Sequence, residues 1–117
     1  MFREVFAELG ASIPDLLAVC LVGRDGIEID HFVRDDLPHE VLSAEMNGLL
    51  RNLERLEKEF GLGRTEEMVV RTDVQNILLL ALSKDMFVLV ITGPSTATGR
   101  ARYQIQRIAH RFLDMLR

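Results

Sequence analysis

The stretch that decides the fold runs from Leu16 to Val33 and has the sequence LLAVCLVGRDGIEIDHFV. Its first part, up to Val22, is a continuous apolar run, which is typical of a strand covered on both faces. Asp25-Gly26 is a strong hairpin signal, because a type I′ turn needs positive φ at both central residues. The alternation that follows predicts a second strand. We therefore expect a β-hairpin with one mostly apolar face that another part of the chain covers.

The register of this hairpin depends on the length of its turn. If Asp25 and Gly26 are the two turn residues, the cross-strand pairs are Val22–Ile29, Cys20–His31 and Ala18–Val33. A longer turn starting at Gly23 shifts these pairs, and the sequence leaves both alternatives open. Simple alternation places Glu28 and Asp30 together on the other face of the strand, where a solvated sheet face or protection of a sheet edge is the expected role.

Composition limits the class of protein. A length of 117 residues predicts one domain over residues 1–117. The formal net charge of −4 argues against nucleic acid as a partner. The single cysteine excludes an internal disulfide, and together with a start that lacks signal-peptide features it predicts a cytoplasmic setting. No apolar run is long enough to span a membrane, so membrane insertion is not expected.

Helical spacing of apolar residues predicts two helices in the first half of the chain. The first begins near Phe2, ends at Gly10 and covers the sheet. After a polar loop over 34–38, a long helix extends from His39 to Phe60 and stops at Gly61. Steps of three and four predict its core stripe as Leu42, Met46, Leu49, Leu53, Leu56 and Phe60. A two-stranded coiled coil is the alternative, but the pattern ends after three heptads.

Three short apolar runs and a final helix complete the chain. The runs 67–72, 76–82 and 87–92 predict a three-stranded meander, because only three or four residues separate them. Ser95 or Thr96 is the expected cap of the last helix, whose buried stripe is Ala101, Ile105, Ile108, Phe112 and Met115 or Leu116. The predicted fold is α+β, in the order α-β-β-α-β-β-β-α: a five-stranded antiparallel sheet with the long helix on one face and the terminal helices on the other.

Residues that would carry catalysis or bind a cofactor do not form recognisable motifs. Gly93 to Arg100 lies between a strand and a helix, but it lacks the lysine and the hydroxyl of a phosphate loop. His31, His39 and His110 have no metal-ligand spacing, and Cys20 is expected to be an inert core residue. The sequence therefore predicts no enzyme activity, no catalytic residue, no cofactor and no metal.

Two surfaces remain as candidates for interaction. The small residues Val41, Ala44 and Gly48 form a second row on the long helix, where another helix could approach closely. The third strand follows the long crossover helix and is expected at a sheet edge, with Met68, Val70 and Thr72 at alternate positions. Because an unprotected apolar edge is normally shielded or paired with another chain, these six residues are the predicted interface of a homodimer.

The sequence resembles the roadblock/dynein light chain family, including its bacterial MglB-type members. The resemblance is carried by Val22 to Ile29, similar to the Val-Gly-Arg-Asp-Gly hairpin of the family, and by Gly99 to Arg102, similar to its Gly-x-x-Arg motif. It implies a roadblock, profilin-like fold and a homodimer in which two sheets join through their third strands and the long helices lie side by side.

The resemblance also implies a function and a binding site. It implies a non-enzymatic regulator or scaffold that binds a small Ras-like GTPase, with activation of GTP hydrolysis as a further role. The alternative is a structural adaptor subunit of a motor or signalling assembly without a GTPase partner. The row expected to point away from the core, and so to contact the GTPase, is Asn47, Arg51, Asn52 and Arg55, because arginines make charge-assisted contacts with acidic segments.

Overall fold

The computed structural model describes residues 2–34 and 36–116. Asp35, in the predicted loop 34–38, and the first and last residues of the predicted domain lie outside the described residues. The order of helices and strands is as the sequence predicts. The elements are α1 (Arg3–Ser12), β1 (Leu16–Gly23), β2 (Glu28–Val33), α2 (His39–Phe60), β3 (Glu67–Arg71), β4 (Asn76–Ser83), β5 (Met86–Thr92) and α3 (Thr98–Met115).

The five strands form one sheet in the order β2-β1-β5-β4-β3, and every neighbouring pair is antiparallel. The last three strands make the expected meander. The β1–β2 hairpin and the meander of β3, β4 and β5 are joined through the central β1–β5 pair, so β2 and β3 are the two edges of the sheet. The prediction that the third strand lies at an edge is confirmed.

The two faces of the sheet have separate cores, as predicted. On one face α1 and α3 pack against Val19 and Leu21 of β1, with a cluster of three rings contributed by Phe2, Phe6 and Phe112. On the other face α2 packs against the alternate β1 residues, which are Ala18, Cys20 and Val22. The continuous apolar run of β1 is therefore explained by burial on both sides.

The β1–β2 turn is the longer of the two alternatives. The N–H of Gly26 donates to the carbonyl of Gly23 at 2.9 Å, and the N–H of Gly23 donates to the carbonyl of Ile27 at 3.0 Å. Gly26 has a φ of +85°, whereas Asp25 does not have positive φ, so this is not a type I′ turn. The structure therefore selects the turn that starts at Gly23.

This turn brings a bulge that changes the face of one acidic residue. The pairs Ala18–Val33 and Cys20–His31, predicted for the two-residue turn, are found although the turn is the longer one, so the expected shift is limited to Val22. This residue pairs with Glu28 and not with Ile29, because the register shifts after Leu21. Glu28 consequently lies on the α2 face with His31. Its predicted placement beside Asp30 on a solvated face is wrong, and the extra residue, Ile29, is exposed instead.

Helix α2 has the predicted bounds but presents a different side to the sheet. Its buried residues are Ser43, Met46, Asn47 and Leu50, and of the predicted core stripe only Met46 is fully buried. Leu49 is 47% exposed and Phe60 is 65% exposed. The predicted stripe is confirmed at Met46 and at Leu42, which packs against the core, and is wrong at Leu49 and Phe60. The helix is rotated because Ser43 and Asn47 turn toward the sheet, where both find hydrogen-bond partners. Gly61, with a φ of +64°, ends the helix.

Helix α3 buries the stripe that the sequence predicts, namely Ala101, Ile105, Ile108 and Phe112, while Leu116 packs at its end and Met115 is exposed. The predicted caps are wrong. Ala97 occupies the N-cap position, and Ser95 and Thr96 both donate hydrogen bonds to Asp15 in the loop before β1. In the part of the chain that the structure describes, no helix is long and apolar enough to cross a membrane.

Candidate interaction site

The outward side of α2 carries the small-residue row that the sequence predicts. Val41 is 64% exposed, and Ala44 and Gly48 are exposed as well. A Cβ atom added at Gly48 would meet nothing within 4 Å, so its own chain places no size limit on this residue. Leu49 on the same helix is also exposed, so α2 leaves apolar groups in water.

Strand β3 offers the second predicted surface. Within residues 2–34 and 36–116 its one strand neighbour is β4, and Val69 and Val70 are each about two-fifths exposed. Met68 is half-buried against the core beneath α2, and Val70, two residues on, shares that face. Val41, Ala44, Gly48, Leu49, Met68 and Val70 are called the α2–β3 surface below.

Thr72 does not belong to this surface as a strand residue. Strand β3 ends at Arg71, and the Thr72 hydroxyl donates to the carbonyl of Gln75 at 2.8 Å and accepts from its N–H at 2.9 Å. These bonds close the β3–β4 turn. The predicted alternation over 67–72 therefore extends one residue too far.

The predicted partner-binding row is divided by the structure. Arg51, Asn52 and Arg55 are exposed, and Arg55 forms a loose ion pair with Glu59 at 3.4 Å. Asn47 is only 3% exposed, so its predicted outward position is wrong.

Asn47 is buried because it fixes the β1–β2 turn to α2. The Nε of Arg24 donates to Asn47 Oδ1 at 2.9 Å, and Asn47 Nδ2 donates to the Arg24 carbonyl at 3.0 Å. Arg24 also pairs with Glu54 at 2.5 Å. The turn lies so close to the helix that a Cβ at Gly26 would be 3.6 Å from the Cα of Ala44.

A polar cluster that the sequence did not predict lies between the hairpin and the start of α2. The carboxylate of Glu28, with a side chain only 7% exposed, lies 2.9 Å from His39 Nδ1 and 3.1 Å from His31 Nδ1. The Ser43 hydroxyl donates to it at 2.8 Å, and the Cys20 sulfur lies within 4.8 Å of a Glu28 oxygen and a His39 nitrogen. These five residues, Cys20, Glu28, His31, His39 and Ser43, are called the Glu28 cluster below.

The cluster shifts the pKa of two of its members in opposite directions. Burial disfavours the charged form of Glu28, but hydrogen bonds from His39, Ser43 and Cys20 outweigh it and hold the pKa of this carboxyl below its usual range. Burial, reinforced by the charge of Glu28, raises the pKa of the Cys20 thiol to about 12. The structure thus keeps an ionised carboxylate next to a protonated thiol.

Sequence spacing could not find this cluster, because its residues come from β1, β2 and α2 and are up to 23 positions apart. One signal was available. The predicted hairpin register already placed Cys20 opposite His31, and that pair is confirmed. What remained hidden was the bulge that turns Glu28 inward and the rotation of α2 that brings His39 to it.

The segment 93–100 is organised by a carboxylate of the chain itself. Asp15 Oδ2 accepts hydrogen bonds from the N–H groups of Ser95 and Thr96 at 2.9 and 3.0 Å, and from the Ser95 hydroxyl at 2.5 Å. The backbone donors that a bound anion would use at this turn are therefore directed at Asp15.

Comparisons with known proteins agree with this architecture. No curated protein sequence matches the chain significantly. Among solved structures, MglB of Myxococcus xanthus is 16% identical, with a TM-score of 0.85 over 98% of this chain and 96% of that one. A Roadblock/LC7 domain from Streptomyces avermitilis is 17% identical, with a TM-score of 0.83 over 94% and 92% of the two chains.

The fold extends to profilins. Schizosaccharomyces pombe profilin is 13% identical, with a TM-score of 0.63 over 93% of this chain and 96% of that one. At these identities the structural likeness shows the fold alone. The family model of the Roadblock/LC7 domain, however, matches residues 2–92, which is most of the chain and includes the hairpin, α2 and the meander. The chain therefore belongs to the Roadblock/LC7 family.

Proposed function

We propose that the chain forms a homodimer through the α2–β3 surface and that the dimer is a non-enzymatic regulator of a small Ras-like GTPase. The observation that carries the proposal is the orientation of α2. Its polar residues Ser43 and Asn47 lie on the sheet, while Val41, Leu49 and Phe60 remain in water. When a helix directs polar residues to the sheet and leaves apolar residues exposed, these apolar residues are typically buried against another chain.

The edge strand supports the same partner. Among the described residues, no strand pairs with the outer side of β3, which contains no proline and exposes the apolar side chains of Val69 and Val70. Pairing of β3 with β3 of a second copy about a two-fold axis would satisfy both edges at once. Continuity of the sheet across that axis would also bring the two α2 helices together, where Ala44 and Gly48 allow close approach.

The GTPase is proposed from the family and from charge. The Roadblock/LC7 family and the structural likeness of this chain to MglB support a regulator in a GTPase pathway. Arg51, Asn52 and Arg55 lie on the exposed side of α2, so the paired helices of a dimer would present two such rows. Guanidinium groups make bidentate contacts with carboxylates, which suits an acidic switch segment. Asn47 has no part in this contact, because it is buried against Arg24.

The dimer is tested by Val41→Asp. The unmodified chain at micromolar concentration is expected to sediment with twice the chain mass, and Val41→Asp is expected to weaken self-association at least about tenfold by placing a charge in an apolar contact. Tyr103→Asp is the matched control, since Tyr103 on α3 is 62% exposed, close to the exposure of Val41. A monomeric unmodified chain, or equal effects of the two variants, would contradict the proposed interface.

The GTPase contact is tested by reversing two charges. Arg51→Glu with Arg55→Glu is expected to weaken binding of the GTP-bound cognate GTPase at least about tenfold. Because Arg51 and Arg55 follow Ala44 and Gly48 by seven positions on the same side of α2, sedimentation is used to check that the variant is still a dimer. The control is Arg100→Glu with Arg107→Glu, an equal charge change on exposed residues of α3. Binding is measured by titration against the GTPase loaded with a GTP analogue and with GDP.

The same titrations decide between the two proposed roles. Tighter binding of the GTP form supports the regulator. If the double α2 variant binds as well as the parent, the assigned site is wrong, and if no small GTPase of the same cell binds the parent, the adaptor role takes its place. The proposal also assigns the protein to the cytoplasm, because its single cysteine is free and buried, as expected in a reducing compartment.

A further inference from the structure

The Glu28 cluster combines the side chains that zinc ions prefer as ligands. Cys20 contributes a sulfur from β1, Glu28 a carboxylate from β2 and His39 an imidazole from α2. One ligand atom of each lies within 4.8 Å of the others. His31, which pairs with Cys20 across the hairpin, adds a second imidazole whose ring centroid is 4.4 Å from that of His39.

The spacing of these atoms is close to that of a tetrahedral site. Zinc binds sulfur at about 2.3 Å and nitrogen or oxygen at about 2.0–2.2 Å, so neighbouring ligand atoms are roughly 3.3–3.8 Å apart. His39 Nδ1 lies 2.9 Å from one Glu28 oxygen and 3.0 Å from the other, and His31 Nδ1 lies 3.1 Å from the first. To bind an ion, the His and Glu atoms would move slightly apart, and the Cys20 sulfur, within 4.8 Å of those of Glu28 and His39, would approach them.

The local backbone places Glu28 in this position at a cost. Regular alternation would direct it to the other face, but the bulge beside Val22 turns it inward, where a carboxylate loses its hydration. The Ser43 hydroxyl then fixes one oxygen at 2.8 Å, in the way that outer-shell donors orient metal ligands. An apolar side chain would fill the same space without these devices.

We propose that Cys20, Glu28 and His39 bind one Zn²⁺ per chain, with His31 as the fourth ligand, and that the ion fixes the β1–β2 hairpin to the N-terminal end of α2. On binding, the thiol of Cys20 releases its proton to solvent and the sulfur forms a bond to zinc, while the neutral rings of His39 and His31 carry their proton on Nε2 so that Nδ1 is free to bind. One thiolate and one carboxylate then neutralise the two charges of the ion, so the buried site carries no net charge. Sulfur and imidazole ligands favour zinc over magnesium or calcium.

The test uses the full chain, freed of metal, and Co²⁺ as a spectroscopic probe. One Co²⁺ per chain is expected to bind and to give a near-ultraviolet thiolate-to-cobalt charge-transfer band, which added Zn²⁺ abolishes. Because Cys20 is the only cysteine in the sequence, this band identifies it as a ligand without any substitution. Absence of the band in the folded chain, or one metal ion per two chains, would overturn the proposal.

Variants then assign the remaining ligands. His39→Gln and Glu28→Gln are each expected to weaken Zn²⁺ binding at least about tenfold, and His110→Gln, an exposed histidine on α3 and the matched control, is expected to leave it unchanged. Far-ultraviolet circular dichroism confirms that each variant is folded. Equal weakening by His39→Gln and His110→Gln, or unchanged Zn²⁺ affinity in Cys20→Ser, would show that metal binds elsewhere.

Discussion

Helices α2 and α3 lie on opposite faces of the same sheet and use their apolar stripes differently. Helix α3 turns its stripe onto the sheet, so Ile105, Ile108 and Phe112 are almost completely buried. Helix α2 turns Ser43 and Asn47 to the sheet and leaves much of its stripe half-buried or exposed. An apolar stripe thus indicates that a helix has a partner, but it does not identify that partner as the sheet of the same chain.

The largest expected effect on stability comes from replacing a phenylalanine of α3, and the matching replacement in α2 is expected to have a small effect. Phe112→Ala should lower the free energy of unfolding by about 3–5 kcal/mol, because its ring packs against those of Phe2 and Phe6 at centroid distances of 5.5 and 6.0 Å. Phe60→Ala, at the exposed end of α2, should change it by less than about 1 kcal/mol. Urea denaturation at one fixed protein concentration measures both, since self-association adds to apparent stability.

A loss at Phe60 comparable to that at Phe112 would mean that α2 buries its stripe as α3 does. Repeating the Phe60→Ala measurement over a range of protein concentrations sharpens the comparison. A destabilisation that grows as the dimer forms would place Phe60 in the interface between copies.

The next effect concerns the polar side of α2. Asn47→Ala should cost about 1–3 kcal/mol, because it removes two hydrogen bonds and leaves the half-buried Arg24 without its amide partner. Asn52→Ala, five positions along the same helix and exposed, should change stability by less than about 0.5 kcal/mol. Equal values for the two variants would deny that Asn47 anchors the β1–β2 turn.

The fold was predictable from sequence where periodicity and burial coincide. The stripe of α3, the double-sided burial of β1 and the edge position of β3 follow from spacing and from the order of elements. The rotation of α2 was not predictable, because two of the four residues that it buries, Ser43 and Asn47, are polar, and an apolar pattern therefore does not mark this face. Tertiary hydrogen bonds to Arg24 and Glu28 decide that rotation, and they lie outside any local window.

The candidate sites follow the same division. Val41, Ala44 and Gly48 were predicted to face outward and do so. Helical spacing alone places these small residues on one row, so their prediction did not depend on contacts with other parts of the chain. Prediction of the Glu28 cluster required knowledge of a single-residue bulge in the hairpin. One extra residue in a strand reverses the face of the side chains on one side of it, which here include Glu28. A pattern of alternation alone therefore placed Glu28 in water.

The smallest expected effect tests how α3 is held at its start. Burial opposes ionisation of Asp15, but hydrogen bonds from Ser95 and Thr96 outweigh it and keep the pKa of this carboxyl below its ordinary value. A carboxyl whose pKa is lowered by folding stabilises the protein at pH values above its unfolded pKa of about 4. This contribution is lost as the pH falls through the lower pKa of the folded state. Asp15→Asn should therefore cost about 1 kcal/mol at pH 7 and progressively less in acid.

The measurement is chemical denaturation of the parent and of Asp15→Asn from pH 7 down to the acid limit of folding. Asp73→Asn, a change of the same kind at an exposed position in the β3–β4 turn, is the control and should alter stability little at any pH. Since Asp15 accepts hydrogen bonds from the N–H groups of Ser95 and Thr96 in the loop before α3, hydrogen exchange of these two amides should accelerate in Asp15→Asn while the amides at 39–42 of α2 do not change. A pH-independent difference between parent and Asp15→Asn would mean that shape and not charge holds the loop.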